Sequence, residues 1–213
     1  MRTIAVVTVF IAIISYVLFS SPVAASISSP STEPQLLPTS VSSSVSVKWW
    51  QWLLSIPANS NPIFSNPCNV KQTDQFFYLA GTFGGSADRN CTVPKGKPIF
   101  FPVINILATL DPTPDFNTLE KLKIAADGYI DGATDVKVSV DGVSIKNINS
   151  LRAQSPPFKV QDNLTPDGVL TAVSDGYWVP LKPLSVGQHT IHFAGKQPDF
   201  NFELDVTYHI TVK

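Results

Sequence analysis

The chain has 213 residues, with 15 Lys and Arg against 16 Asp and Glu, so its formal net charge is −1. It lacks the basic excess that binding to nucleic acid or to an anionic membrane surface requires. Charged residues are only 15% of the chain, below the roughly 25% of an average soluble domain. The 18 prolines and two cysteines suit an exported, loop-rich β protein, and nothing in the composition calls for a cofactor.

Residues 1–25 have the organisation of a secretory signal peptide. Arg2 supplies positive charge, residues 4–19 are mostly apolar, and small residues lead to a cleavage site after Ala25. The alternative is an uncleaved anchor, because residues 20–25 lengthen the apolar run towards the about 20 residues of a spanning helix. Either interpretation places the rest of the chain in a secreted or extracytoplasmic location, and an anchor would be its only membrane contact.

The next segment, residues 26–47, is rich in Ser, Pro and Thr and carries a single charge. Such a composition buries too little surface to offset the entropy of ordering, so we expect a disordered spacer. The folded domain is therefore predicted to cover residues 48–213.

A short helix is predicted at the start of this domain, where Trp49 and Trp52 recur at helical spacing before Pro57. We expect this apolar stripe to hold the helix on a sheet. Trp50 lies on another side of the helix and is a candidate platform for a sugar ring or a protein partner.

The carboxyl end has the clearest pattern in the chain. Apolar and polar residues alternate from Phe200 to Val212, and a shorter alternating run surrounds Ile191. Alternation with period two predicts strands with one buried face. We therefore expect a mainly β fold, an antiparallel β-sandwich of immunoglobulin-like or jelly-roll type. One inserted helix is predicted near residues 118–127, and residues 99–106 are too continuously apolar to have a wet face.

Two covalent features are predicted. Cys68 and Cys91 should pair in an oxidising exterior and form a disulfide bond. Asn163 begins an Asn-Leu-Thr triplet, which is a candidate acceptor for N-linked glycosylation.

Three carboxylates recur every four residues at Asp127, Asp131 and Asp135. They are weak calcium candidates, because the segment lacks the alternating oxygen ligands and terminal Glu of an EF-hand loop. Ordinary turn chemistry is the alternative.

A second polar group marks candidate ligand-binding residues. Arg152 either pairs with a carboxylate or holds an anionic ligand. Tyr177 and Trp178 should point to opposite faces of one strand, one into the core and one accessible, with Asp175 nearby. His189 completes this set of candidates.

No residue is assigned a catalytic role. His189 and His192 are three apart and so lie on opposite faces of a strand, and His192 should face Asp205 in a cross-strand ion pair. No serine sits in a Gly-x-Ser-x-Gly elbow.

Several motifs together suggest a family. They include the Trp-rich start at residues 49–52, Leu-Ala-Gly-Thr-Phe-Gly-Gly at 79–85, Asp-Gly-Tyr-Trp at 175–178 and Gly-Gln-His-Thr-Ile-His-Phe at 187–193. Over nearly all of the chain from Lys48, the sequence resembles a family of uncharacterised secreted proteins of archaea and bacteria. That family has no assigned activity, so the resemblance transfers no catalytic residue.

Three functional hypotheses follow. The first is an exported non-enzymatic binding or structural module of the cell envelope or extracellular space, with a glycan or another envelope protein as its partner. The second is a secreted hydrolase acting on polysaccharide or ester, which requires Arg152, Asp175, Tyr177, His189 and His192 to meet in one cleft. The third is a calcium-stabilised adhesion module.

Overall fold

Two stacked β-sheets form the domain in the computed structural model, which describes residues 33–65, 67–73, 75–163 and 168–213. Thr32–Lys213 is one compact unit. The predicted signal peptide and the first residues of the predicted spacer lie outside the described residues.

The sheets have four and five strands. In the first sheet the order is β1 (Phe77–Tyr78), β3 (Ile99–Thr109), β7 (Gly168–Leu181) and β6 (Phe158–Asp162). In the second the order is β2 (Gly85–Val93), β9 (Phe202–Val212), β8 (Gly187–Gln197), β4 (Thr134–Val140) and β5 (Val143–Ser144). Neighbouring strands are antiparallel except for the pairs β1–β3 and β2–β9, which are parallel. The predicted mainly β sandwich is confirmed.

The last two strands, predicted from their alternation, pair as an antiparallel hairpin. Leu204, Val206, Tyr208 and Ile210 are buried, and the residues between them face outward or are only partly covered. His192 lies opposite Thr207 in the register and reaches Asp205 diagonally, with Nε2 2.9 Å from the carboxylate. The predicted contact between His192 and Asp205 therefore forms, although Thr207 and not Asp205 is directly opposite His192.

The first helix, α1 (Ser42–Leu54), corrects the predicted domain boundary. It begins inside the segment expected to be a disordered spacer, and Leu37 ahead of it donates a backbone hydrogen bond to Pro180. Ser42 and Ser46 are fully buried. Serine is small enough to let a helix approach a sheet closely, so this serine-rich sequence forms part of the packing surface.

The second helix, α2 (Leu119–Asp131), is longer than the predicted helix near 118–127. The Thr118 hydroxyl accepts a hydrogen bond from the Lys121 amide and caps the first turn. Leu122, Ala126 and Ile130 repeat every four residues and are buried. The helix packs on β3 and β7.

A polar cluster fixes the path of the chain between the sheets. The Arg89 guanidinium donates to the carbonyls of Ala80 and Gly81, at 2.7 and 3.1 Å, and to the Tyr208 hydroxyl at 2.7 Å. The Tyr208 hydroxyl in turn donates to the Ala80 carbonyl. These contacts hold the segment that leaves β1 and crosses to the second sheet.

Because of this crossover, most of one edge of β3 has no neighbouring strand in the described part of the chain. Strand β1 pairs with β3 at Ile99 and Phe100 alone, and Leu79 adds one hydrogen bond to the Phe100 carbonyl. Beyond Phe100, no other strand of the described residues pairs with β3 on that side. Pro102, which lacks an amide hydrogen, stands where this free edge begins, as expected for proline in a strand.

The predicted disulfide between Cys68 and Cys91 is confirmed, with the two Cα atoms 5.8 Å apart. It ties the loop before β1 to strand β2. Among the described residues, no helix has the length and apolar character needed to cross a lipid bilayer.

Candidate functional site

A cleft of about 620 Å³ opens beside the free edge of β3. We call it the edge cleft. Strand β3 contributes much of its wall through Pro102, Val103, Asn105, Ile106 and Leu107. Helix α1 adds Trp50 and Leu54, and β9 adds Phe202 and Leu204. Tyr129 of α2 and the loop residues Ile63, Phe64, Thr82 and Phe83 complete most of the lining. Its size falls within the range of small-ligand pockets, roughly 300–1,000 Å³.

Two exposed phenylalanines form part of the rim of the edge cleft. Phe64 and Phe83 are 56% and 64% exposed, and their ring centroids lie 5.3 Å apart. Phe83 projects from the crossover segment between β1 and β2, just before Gly84, whose φ of +105° favours glycine. Large apolar side chains exposed together beside a cavity are typical of a binding surface.

The Asn105 side chain, which lines the edge cleft, has a buried nitrogen without a hydrogen-bond partner among the described residues. Asn105 follows an irregularity in the pairing of β3 with β7 and faces Gly176. A Cβ atom on Gly176 would lie 2.6 Å from the Asn105 Cβ, so only glycine gives this side chain room. The Asn105 Nδ2 atom is buried and donates to no described group. A buried unpaired donor is costly, and a ligand acceptor would remove that cost.

The structure corrects the prediction for two aromatic candidates. Trp178 is fully buried and its Nε1 donates to the Ala153 carbonyl at 3.2 Å, and Tyr177 is only 9% exposed. One of the pair was expected to be accessible. Both are covered because α1 packs on the outer face of the four-stranded sheet and the second sheet covers the inner face.

Trp50 is partly buried and lines the edge cleft. Its Nε1 donates to the Ser174 hydroxyl at 2.7 Å. The side chain is therefore held in one orientation as a wall of the cleft, rather than standing free as a platform.

Arg152 lies at the centre of a cluster of carboxylates, as expected if it pairs with a carboxylate. Its guanidinium contacts Asp127 and Asp131 of α2 at 2.5 Å and Asp175 of β7 at 3.1 Å. Asp175 is 1% exposed, whereas Asp127 and Asp131 are 60% and 63% exposed. The cluster therefore joins α2 to the sheet through one buried and two exposed ion pairs.

Opposing effects set the protonation of this cluster. Burial raises the pKa of Asp175, and the hydrogen bond and charge of Arg152 act against that rise. For Arg152, burial acts to lower the pKa, but the hydrogen bonds and charges of Asp175 and Asp131 outweigh it and raise the pKa. Arg152 therefore supplies the positive charge that Asp175 needs in order to be ionised inside the protein.

The calcium candidates have other partners. Asp127 and Asp131 lie four residues apart on a helix, not in a turn, and both contact Arg152. Asp135 instead lies 3.7 Å from Lys196. Within the described ranges, no group of three His, Cys, Asp or Glu side chains is arranged to hold a metal ion.

The histidines do not join Arg152 in one cleft. His189 contacts Asp141 at 2.7 Å and the Ser185 hydroxyl at 3.1 Å, and His192 contacts Asp205. None of these partners belongs to the Arg152 cluster. The convergence that the hydrolase hypothesis required is absent from the described contacts.

Asn163, the candidate glycan acceptor, is exposed, and its Nδ2 donates to the Ser55 carbonyl at 3.1 Å.

Sequence reasoning missed Phe64, Phe83 and Asn105, which the edge cleft brings together. The available signal for Phe83 was an aromatic residue inside a glycine-rich turn, where a side chain has no strand to pack against.

Comparisons with known proteins return solved structures alone, since no family model and no curated protein matches the chain. The cysteine protease inhibitor EhICP2 of Entamoeba histolytica is 13% identical, over 64% of this chain and 94% of that one, with a TM-score of 0.26. PbICP-C, in a complex with falcipain-2, is 12% identical over 64% of this chain and 98% of that one, with a TM-score of 0.27. Amebosin is 12% identical over 60% and 96%, with a TM-score of 0.20. These scores are too low to carry an argument about function.

Substitutions of different residues in the Arg152 cluster should lower the free energy of unfolding by unequal amounts. Arg152→Met should destabilise the protein by about 3 kcal/mol, because it leaves the Asp175 carboxylate buried without its cation. Asp127→Asn, the matched control, should cost less than about 1 kcal/mol, because that pair is exposed. Urea unfolding measures both, and equal costs would contradict this assignment.

The cost of Arg152→Met should also depend on pH. Without the guanidinium, the pKa of Asp175 rises further, so the folded variant takes up a proton at a higher pH than the wild type does. Stability linked to a raised carboxyl pKa is present at low pH and is lost as the pH rises through it. The free-energy difference between variant and wild type should therefore shrink as the pH is lowered from neutral, and a constant difference would rule this out.

Proposed function

We propose that this protein is an extracytoplasmic, non-enzymatic binding module whose edge cleft takes an apolar group of a partner. The observation that carries the proposal is the cavity itself, with two exposed phenylalanines, Phe64 and Phe83, standing together at its rim. An apolar pocket with a few polar groups is the usual form of a ligand site. Trp50, Leu54 and Phe202 supply apolar wall, and Asn105 supplies an unpaired donor.

The extracytoplasmic location rests on two features. The Cys68–Cys91 disulfide is of a kind that persists in oxidising compartments. The charged start, apolar run and small residues of segment 1–25 are those of an export signal. The edge cleft favours a protein or other apolar partner over a glycan, because three of the four tryptophans are buried in the sheet–helix packing.

If the edge cleft binds apolar groups, a substitution at its rim should weaken the binding of an apolar probe. An aromatic probe such as 8-anilinonaphthalene-1-sulfonate should bind the wild type and gain fluorescence. Phe83→Ser should weaken this binding about tenfold, because it removes apolar surface at the rim worth roughly 1–2 kcal/mol. Fluorescence titration of the folded proteins measures the effect.

The matched control is Val186→Ser. Val186 is 60% exposed, an apolar side chain of the surface that does not line the edge cleft. Its substitution should leave the affinity of the probe unchanged. Equal losses in the two variants, or no binding to the wild type, would refute the proposed site.

One arrangement of side chains bears on ester hydrolysis, the second hypothesis. Ser185 Oγ lies 3.1 Å from His189 Nε2, and His189 Nδ1 lies 2.7 Å from an Asp141 oxygen that would orient the ring. These are the distances of a nucleophile, a base and an orienting group. However, Nε2 also lies 2.9 Å from the Ser185 carbonyl. An Nε2–H bond to that carbonyl leaves no lone pair to receive the serine proton.

This arrangement has a direct test. A fluorophosphonate probe labels serines that a neighbouring base activates. We expect the wild type and Ser185→Ala to be labelled equally weakly, because the Ser185 carbonyl competes for His189 Nε2. Labelling that disappears in both Ser185→Ala and His189→Ala would instead favour the hydrolase.

A further inference from the structure

Building on the proposed function, we propose that the partner is an extended peptide that adds a strand to the free edge of β3. Its main chain would run along residues 105–109, and one apolar side chain would enter the edge cleft. Basic residues would flank the apolar ones. The inference rests on three observations: the backbone of β3 and the amide nitrogen of Asn105 have no partner among the described residues, and carboxylates lie near this edge.

The backbone of β3 supplies the first argument. In an antiparallel pair, alternate residues direct both N–H and C=O to the neighbouring strand, and the residues between direct theirs to the other side. Residues 105–109 pair with β7 on one side, and no described strand pairs with them on the other. This edge carries neither lysine nor proline after Pro102, two devices with which proteins block unwanted strand pairing.

The position of the edge cleft supplies the second argument. It is lined by residues of the same edge, so a strand bound there would place a side chain directly into the cavity. Main-chain hydrogen bonds then give affinity, and the cavity gives selectivity for an apolar residue. The buried Asn105 Nδ2 atom lacks an acceptor, and a peptide carbonyl has the chemistry to fill that role.

Charge supplies the third argument. The segment that follows β3 contains the exposed residues Asp111 and Asp115 and no Lys or Arg before Lys121. Lys121 itself donates to the Pro114 carbonyl. An acidic surface at the end of the groove complements a peptide that carries lysine or arginine beside its apolar residues.

The test uses a fluorescein-labelled, amidated peptide, Lys-Val-Thr-Phe-Thr-Val-Lys, titrated with the whole exported chain and followed by fluorescence anisotropy. Two versions carry N-methyl groups on alternate backbone nitrogens, one on each of the two sets. If the peptide adds as a strand, methylating the nitrogens that face β3 should weaken binding about tenfold or more. Methylating the other nitrogens should change the affinity little. Equal effects of the two methylated peptides overturn the proposal.

Further arms identify the site and the charge preference. Phe83→Ser should weaken peptide binding and Val186→Ser should not. Replacing both peptide lysines by glutamate should weaken binding several-fold at low salt, with the difference shrinking as salt is added. An effect of Val186→Ser as large as that of Phe83→Ser, or a preference for the glutamate peptide, overturns the proposal.

Failure of this inference can be told apart from failure of the proposed function. If the aromatic probe binds the edge cleft and the peptide does not, the cleft is a ligand site and strand addition is wrong. If sedimentation reveals a dimer of this chain and the peptide does not bind, the edge takes a second copy instead and the inference is also wrong. If neither probe binds, both proposals fail.

Discussion

The structure depends on the buried guanidinium of Arg89. This side chain is 4% exposed, and a buried charge is costly unless hydrogen bonds and nearby dipoles replace water. The carbonyls of Ala80 and Gly81 and the hydroxyl of Tyr208 provide them, and the Tyr208 ring lies under the cation at 5.5 Å. Burial raises the pKa of Tyr208, so its hydroxyl stays protonated and donates to Ala80. One cluster thereby fixes where the chain leaves the first sheet for the second.

The free edge and the cavity follow from that fixed crossover. Because the chain turns away after Leu79, β3 continues to Thr109 without a partner on one side among the strands that the structure describes. The crossover segment then places Phe83 beside Phe64 over the opening. The same geometry explains why most of the tryptophans are structural. Helix α1 covers the outer face of the four-stranded sheet, and Trp49 and Trp178 pack there with ring centroids 5.5 Å apart.

Much of the fold was predictable because local sequence patterns determine it. Alternation along β9 and a pair of cysteines in a chain with the pattern of an export signal each have one favoured structural outcome. The predictions were wrong where tertiary contacts determine whether a segment is folded or a side chain is buried. The serines of α1 have a composition typical of spacers, but Ser42 and Ser46 are buried against the sheet. The burial of Trp178 could not be inferred from alternation, because both faces of its strand are covered.

The candidate site was harder to predict than the fold. Pairing with a carboxylate was one of two interpretations of Arg152, the other being an anionic ligand. Its three partners come from a helix and a strand far apart in the chain. Asn105 and Phe83 carry no motif, and only the crossover brings them to one cavity.

The most direct test of this account is amide hydrogen exchange of the free protein, followed residue by residue by NMR. If the edge of β3 is unpaired, amides in residues 105–109 should alternate between slow exchange, where they bond to β7, and fast exchange, where they face the free side. Uniform slow exchange along all five residues would mean that the edge is already covered, and the account of the binding site would be wrong.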